Sequence, residues 1–187
     1  MHAVATVVRT LRKRLRLLLL GGLLAASPLW AAPTEYQLKA VFLLNFARYV
    51  TWPVSALPPD QPLDICVLGR DPFGIHLSGL EARQAQGRAV KVRYPDSVDA
   101  AAGCAVVFIA ASEQRRLNAV LRALSHQPVL TVSDIDGFVE AGGGIGLVTE
   151  DDRIRFDINR ATLARDQLTL SAQLLKLARR LVGDVER

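Results

Sequence analysis

Two continuous apolar segments constrain the fold of this chain more than any other feature. They are LDICVLG (63–69) and CAVVFIA (104–110), and a third strand-like segment, PVLTVSD (128–134), follows them. A strand that is apolar at consecutive positions is covered on both faces, as the inner strands of a parallel sheet are. Segments with helical spacing separate the strands, and parallel strands need such crossover connections. We therefore predict a single α/β domain with a mixed, mostly parallel central sheet flanked by helices.

Three amphipathic segments supply the principal helices. The first spans 35–53, with Thr34 and Gln37 at the positions of a capping box and Pro53 at its end. The second spans 112–124 and begins at a serine cap. The third is predicted to begin at a Ser171 cap and to run to the end of the apolar pattern. The apolar faces comprise Leu38, Val41, Phe42, Phe46 and Tyr49 in the first helix, and Leu174, Leu175, Ala178, Leu181 and Val182 in the third.

The alternation of strands and helices stops after the glycine-rich segment AGGGIG (141–146). GIGLVTEDDRIRFDIN (144–159) has the pattern of a strand, an acidic turn and a second strand. In the second strand, apolar and polar residues alternate, which predicts a C-terminal antiparallel hairpin with one solvent-facing side. The apolar set is Ile154, Phe156 and Ile158, and the polar set is Arg153, Arg155, Asp157 and Asn159.

The glycine-rich segment has two possible roles, a phosphate-binding loop or a backbone turn. A phosphate-binding loop leads into a helix, whereas the residues after AGGGIG form a predicted strand, with no Lys-Ser or Lys-Thr pair. We therefore interpret the segment as a turn that uses positive φ or close backbone approach. The candidate residues are Gly142, Gly143 and Gly144.

The first 31 residues have the layout of a secretory signal peptide. A basic region precedes an apolar run at 17–24, and small residues surround Ala31, after which we expect cleavage. The alternative is an uncleaved anchor, but the apolar run is shorter than the roughly 20 residues that span a bilayer. The leader holds five basic residues and no acidic ones, so the predicted domain at 32–187 is left with eighteen of each. An exported domain without net charge lacks the basic surface that nucleic acid requires.

The two cysteines, Cys66 and Cys104, are the only ones in the sequence. In an oxidising compartment a single pair usually forms a disulfide, which is our prediction. Both lie in apolar segments, so two buried free thiols remain the alternative.

Catalytic and metal-binding motifs are missing from the sequence. Neither His76 nor His126 has a partner at metal-ligand spacing, and no nucleophile elbow is present. The acidic residues at 150–152 fit a solvated turn better than a cation site. We therefore predict no catalytic residue, no cofactor and no metal, and a function other than catalysis.

Three segments in their order along the chain carry a family resemblance: NFARYVTWP (45–53), LTVSDIDGF (130–138) and SAQLLKLA (171–178). Together with the strands described above, they make the chain resemble the YfiR/HmsC family of small periplasmic regulators. The resemblance implies an exported repressor that binds the periplasmic sensor domain of an inner-membrane diguanylate cyclase, lowering cyclic-di-GMP and biofilm formation. It also implies sequestration by an OmpA-like outer-membrane lipoprotein in some systems, and an α/β domain that can form a homodimer.

One departure from the family concerns cysteine. Some members carry a second cysteine pair on either side of the glycine turn, where this chain has Val139 and Gly146. Redox control that depends on a second disulfide is therefore not expected here.

The hairpin and the residues after it are the predicted partner-binding surface. Ile145, Asp157, Arg160 and Leu163 are expected to lie near one end of the sheet, where mixed apolar and charged groups suit a non-obligate interface. Ordinary packing of Ile145 and Leu163, and ordinary solvation of Asp157 and Arg160, is the alternative. A second functional hypothesis is a periplasmic small-molecule-binding protein or enzyme, with a site at the strand ends near Gly69 and Ala110.

Overall fold

An eight-stranded sheet runs through the part of the chain that the structure, a computed structural model, describes: residues 34–183. Its strands are β2 Leu63–Leu68, β3 Gln84–Ala85, β4 Arg88–Arg93, β5 Val106–Ile109, β6 Leu130–Ser133, β7 Ile145–Glu150, β8 Arg153–Asn159 and β10 Arg180–Val182. Their order in the sheet is β10-β8-β7-β6-β5-β2-β4-β3. β1 (Val50–Thr51) and β9 (Thr169–Leu170) form a separate two-stranded antiparallel sheet.

Six α-helices connect and cover these strands in the described residues. They are α1 Glu35–Tyr49, α2 Ile75–Ser78, α3 Val98–Ala101, α4 Leu117–Leu124, α5 Arg160–Arg165 and α6 Ala172–Leu177. Short 3₁₀ segments at Gly79–Ala82 and Ala111–Arg116 continue α2 and precede α4. Within residues 34–183, no helix has the length and apolar character needed to cross a membrane. The predicted signal peptide lies outside the described residues.

The sheet has the predicted mixed, mostly parallel topology. β4, β2, β5, β6 and β7 pair in parallel, with Ile65 opposite Val106 and Val106 opposite Leu130. β2 and β5 are buried at nearly every position, because elements cover both of their faces. The α/β prediction from the two apolar segments is therefore confirmed.

Each face of the sheet has its own apolar core. On one face, α1 packs through Phe46 against Phe156 of β8, with ring centroids 5.2 Å apart. On the other face, α4 and the segment 135–139 cover Cys66, Val107 and Ile109. Burial on both faces fixes the register of the inner strands, since a one-residue slip would exchange the two cores.

The predicted C-terminal hairpin is formed by β7 and β8, which pair from Ile145–Ile158 to Glu150–Arg153. Its two-residue turn consists of Asp151 and Asp152, both with positive φ (49° and 56°). Asp tolerates this region better than most residues, and paired positive φ values are typical of tight hairpins. Asp151 and Asp152 therefore form an exposed turn, as predicted, and Glu150 is the exposed last residue of β7.

The predicted helix after Ser171 is shorter than expected. Ser171 does cap α6, its hydroxyl accepting from the Leu174 amide at 3.2 Å, but the helix ends at Leu177. The chain then extends, and β10 pairs in parallel with β8. The prediction that Leu181 and Val182 belong to a helix is wrong, because strand pairing overrides the local helical spacing.

The apolar face predicted for α1 is also partly wrong. Thr34 caps this helix as predicted, accepting from the Gln37 amide. Val41 and Tyr49 are exposed, however, while Lys39 is buried. The Lys39 ammonium lies 2.6 Å from Asp134 Oδ2, 95 residues away, so a distant carboxylate compensates for its burial.

Cys66 and Cys104 form a disulfide that ties β2 to a position two residues before the start of β5. The prediction of a bonded pair is thus confirmed, and both sulfur-bearing residues are buried. The bond closes a loop with a sequence separation of 38 residues. In the chain-entropy description such a loop stabilises the folded state by roughly 4 kcal/mol.

Candidate functional site

Three of the four predicted partner-binding residues are buried, so the expectation of one exposed face is wrong for them. Ile145 and Leu163 belong to the core beneath α1. Asp157 lies on the opposite face of the hairpin and is only 2% exposed. Arg160, the first residue of α5, is exposed. Whether any of the four contacts a partner stays a prediction.

Asp157 is buried because two arginines and a loop cover it. Arg179 donates from Nε to Oδ1 (2.8 Å) and from Nη2 to Oδ2 (2.6 Å), a bidentate pair. Arg180 donates to Oδ2 from Nε and Nη2, at 3.1 and 2.8 Å. Bidentate guanidinium–carboxylate pairs are strong and directional, so this carboxylate holds the segment after α6 against β8.

The arginines extend the network to the protein surface. Arg180 also bonds Glu140, which lies in the loop after β6, and Arg179 Nη1 lies 3.7 Å from Glu150 Oε1 in β7. We call Glu140, Glu150, Asp157, Arg179 and Arg180 the charged end of the sheet. Its arginines and glutamates are partly exposed and surround the buried carboxylate of Asp157. A partner would therefore meet an ordered array of both charges.

The pKa shifts of Asp157, Glu140 and the two arginines at the charged end favour the ionised forms. Hydrogen bonds from Arg179, and then from Arg180, lower the pKa of the Asp157 carboxyl against the opposing effect of burial. The hydrogen bond from Arg180 lowers the pKa of Glu140. The pKa values of both arginines are raised by their bonds to Asp157. These four groups therefore stay charged at neutral pH.

Strand register places Asp157 in this position. It lies opposite Arg180 in β10 and opposite Gly146 in β7. Gly146 has no side chain, and a Cβ there would lie 3.3 Å from Val139 Cγ1, so Val139 packs directly over the strand. A cleft of about 180 Å³ lies beside this packing, with Asp157 in its lining.

The contact between Val139 and Gly146 also concerns the second cysteine pair of some family members. These two positions are neighbours in space, separated only by van der Waals contact. Apolar packing here holds the loop against β7. The chain has no further cysteine, so only the Cys66–Cys104 bond can respond to a reductant.

The glycine turn is engaged in internal contacts. The amides of Gly142 and Gly143 donate to the carbonyls of Val139 and Phe138, and the Gly144 amide donates to Thr131 Oγ1 at 2.9 Å. These three amides are therefore not available to an anion. Of the three glycines only Gly142 has positive φ (99°), so that part of the prediction is wrong for Gly143 and Gly144.

Close packing explains the other two glycines. A Cβ on Gly143 would lie 2.2 Å from the buried Phe138 ring, and one on Gly144 would lie 3.0 Å from the Thr131 carbonyl oxygen. Close backbone approach, the second of the two predicted reasons, therefore applies to both.

The strand ends near Gly69 and Ala110, the place for a small-molecule site, are filled by side chains. Ser112 Oγ accepts from the Arg70 amide at 2.8 Å, and Glu113 is buried beside it. A Cβ on Gly69 would lie 2.5 Å from Ser112 Oγ. Among residues 34–183, no group of three or more His, Cys, Asp or Glu side chains has the geometry to hold a metal ion.

Sequence reasoning missed Glu140, Arg179 and Arg180. The two arginines fell on the polar side of a predicted helix, where charges are usually solvated. Their role depends on β10, whose pairing with a strand more than twenty residues away leaves little local signal. The only hint is the short sequence Leu181-Val182-Gly183, in which the glycine has positive φ (75°) and ends the strand.

Comparisons with known proteins identify a matching family model and solved structures with low sequence identity to this chain. A family model described as YfiR/HmsC-like matches residues 36–179. A conserved domain protein from Vibrio cholerae O1 biovar El Tor shares the fold, with a TM-score of 0.53 and 10% identity over 80% of this chain. The ABC domain in complex with L-Trp from Streptococcus pneumonia gives a TM-score of 0.49 and 12% identity over 76% of this chain. The chain spans 60% of the length of each solved chain.

Proposed function

Because this chain belongs to the YfiR/HmsC-like family, we propose that it represses an inner-membrane diguanylate cyclase by binding the cyclase's periplasmic sensor domain. Members of this family are periplasmic and regulate diguanylate cyclases, and they are regulatory proteins rather than catalysts. In this chain, binding lowers cyclic-di-GMP and thereby biofilm formation. The match over residues 36–179, from α1 to Arg179, is the observation that carries the proposal.

The charged end of the sheet, with Arg160, is the surface proposed to meet the cyclase. Arg160 and Arg180 are exposed, and Glu140 and Arg180 bond each other at the rim. Paired charges on a rigid support suit a reversible interface, since they orient a partner and exclude mismatched ones. Ile145, Asp157 and Leu163 then act from beneath, by holding the hairpin and α5 in place.

Export is a further part of the proposal. Residues 1–31 act as a signal peptide, and the domain at 32–187 functions in the periplasm. The disulfide supports this compartment, because cytosolic reductants keep most thiols unbonded. An OmpA-like outer-membrane lipoprotein is a second proposed partner that relieves repression, and a homodimer is a proposed assembly state.

Two measurements on purified material test the proposal. Intact mass of protein from the periplasmic fraction should correspond to a chain that starts near Ala32 and lacks about two hydrogens relative to its fully reduced form. Calorimetric titration of that protein into the purified periplasmic domain of a diguanylate cyclase encoded beside its gene should give saturable binding. A mass that includes the leader would contradict the proposed export. Absence of binding would contradict the proposal that the cyclase's periplasmic domain is the partner.

A further inference from the structure

An unfilled groove with apolar lining residues lies on the outer side of α1. It has a volume of about 450 Å³ and lies between α1 and the helical segment 75–82. Val41 and Leu44 from α1 line it on one side, and Ile75 and Leu80 on the other. Arg48 and Arg83 stand at its rim.

Two apolar side chains in this groove are unusually open to solvent. Ile75 is 82% exposed and Val41 is 48% exposed. Single exposed apolar residues are common, but here two of them line one concavity together with Leu44 and Leu80. Covering them with an apolar partner surface would be favourable, at about 25 cal/mol per Å² removed from water.

The charged side chains that line the groove have a single sign. Its lining contains two arginines and no carboxylate. Arg48 Nε donates to the Gln84 carbonyl at 3.3 Å, which satisfies a donor without neutralising the guanidinium. The Arg83 side chain makes no hydrogen bond or ion pair within residues 34–183. The groove therefore combines apolar lining residues with a positive rim.

This charge argues against two occupants from the chain itself. A second copy that docked groove to groove would bring arginines of both copies together, and like charges in a closing interface oppose association. The leader carries five basic residues and no acidic ones, so the same rim repels it. The complementary occupant is an apolar segment with acidic flanks.

We propose that the groove binds an amphipathic helix of the cyclase's periplasmic domain. Its apolar face lies on Val41, Leu44 and Ile75, while its carboxylates pair with Arg48 and Arg83. A groove between two helical segments suits this mode, in which side chains spaced three and four residues apart act as anchors. The identity of the partner rests on the proposed function, whereas the helix and its acidic flanks follow from the groove.

The groove and the charged end of the sheet are separate surfaces. α1 covers one face of the sheet, whereas the Asp157 side chain lies with Val139 and Phe138 on the other. A partner must therefore contact them with different elements. When substitutions at the two surfaces are combined, the fold-changes in the dissociation constant should multiply, because distant sites contribute independently to the binding free energy.

The test measures binding of the purified mature protein to the purified periplasmic domain of the cyclase, at low and at high salt. Ile75→Glu and Arg83→Glu should each weaken binding about tenfold or more, since one places a carboxylate among the apolar lining residues and the other reverses a rim charge. Arg83→Glu should also reduce the dependence of binding on salt. Both substitutions should also weaken the repression of cyclic-di-GMP in cells.

Val54→Glu and Lys91→Glu are matched controls, because both residues are exposed and neither lines the groove. All four variants should melt close to the wild-type temperature. Thermal melts that show this would exclude a folding defect as the cause of a difference in binding. If the wild type binds and the groove variants bind equally well, the groove proposal is overturned while the proposed function stands. If the wild-type protein neither binds nor represses, both are overturned.

Discussion

Arg180 lies directly opposite Asp157 in the parallel pairing of β10 with β8, and its guanidinium donates two hydrogen bonds to that buried carboxylate. Arg179 adds a bidentate pair to the same group. One carboxylate thus holds both residues that carry the chain from α6 into the last strand. The ordered charges proposed to meet a partner depend on it.

Asp157→Asn should lower the free energy of unfolding by about 1–3 kcal/mol, the usual range for lost hydrogen bonds to a charged group. The cost stays below that of a fully buried pair because both arginines can reach water. Urea denaturation measures the change. Asp152→Asn, in the exposed hairpin turn, is the matched control and should have little effect. An equal effect of the two substitutions would show that the Asp157 network adds nothing to stability.

The stability that Asp157 provides should depend on pH. Its arginine partners lower the pKa of this carboxyl in the folded state, so the unfolded chain binds a proton more readily. The contribution is complete above the ordinary carboxyl pKa of about 4, and it is lost as the pH falls through the lower folded-state pKa. The gap in unfolding free energy between wild type and Asp157→Asn should therefore narrow from pH 7 to pH 3. A gap of constant size would contradict this origin.

The loss of unfolding free energy on substitution in the glycine turn should depend on how closely each glycine is packed. Gly142→Ala should cost about 1 kcal/mol through its positive φ. Gly143→Ala should cost more, roughly 2–3 kcal/mol, because the new methyl group would overlap the Phe138 ring. Gly103→Ala is the control, since a Cβ there meets nothing within 4 Å. Thermal melts should give this order, and added nucleotide should shift none of them. A nucleotide shift that the glycine variants abolish would instead indicate a phosphate site.

Substitutions at Phe156 and Arg160 should distinguish an effect on stability from an effect on partner binding. Phe156→Ala removes a ring that packs on Phe42 and Phe46, should cost roughly 3–5 kcal/mol, and should raise cyclic-di-GMP by lowering protein abundance. Arg160→Glu changes an exposed side chain and should alter stability by under about 0.5 kcal/mol. It should still raise cyclic-di-GMP if it contacts the cyclase. Immunoblots beside cyclic-di-GMP measurements distinguish these routes, with Lys91→Glu as the charge-reversal control. Full repression by Arg160→Glu at normal abundance would remove Arg160 from the interface.

The parts of the fold that follow from local pattern were predictable. The apolar segments of β2 and β5 indicated a sheet covered on both faces, and the alternation in β8 indicated a hairpin. The capping hydroxyls of Thr34 and Ser171 were identified because a cap lies within three residues of its partner.

The parts that failed depend on distant partners. Asp157 lies on the polar side of the alternating pattern in β8, which predicts a solvated side chain. In the structure, β10 and the loop carrying Val139 cover it. Lys39 is buried because Asp134 lies above it in the fold and not because of its neighbours in sequence. The change from helix to strand after Leu177 likewise follows from pairing with β8, where the Arg179 amide donates to the Phe156 carbonyl at 2.8 Å. Periodicity within a segment carries no information on such contacts.

The central claim, repression of a diguanylate cyclase, is tested most directly by intracellular cyclic-di-GMP in four strains. These are the wild type, a deletion of this gene, the same deletion with the gene restored, and a double deletion that also removes the partner cyclase gene. Deletion should raise cyclic-di-GMP, restoration should return it to the wild-type level, and the double deletion should abolish the rise. Unchanged cyclic-di-GMP in the single deletion, under conditions in which the wild type makes the protein, would contradict the account.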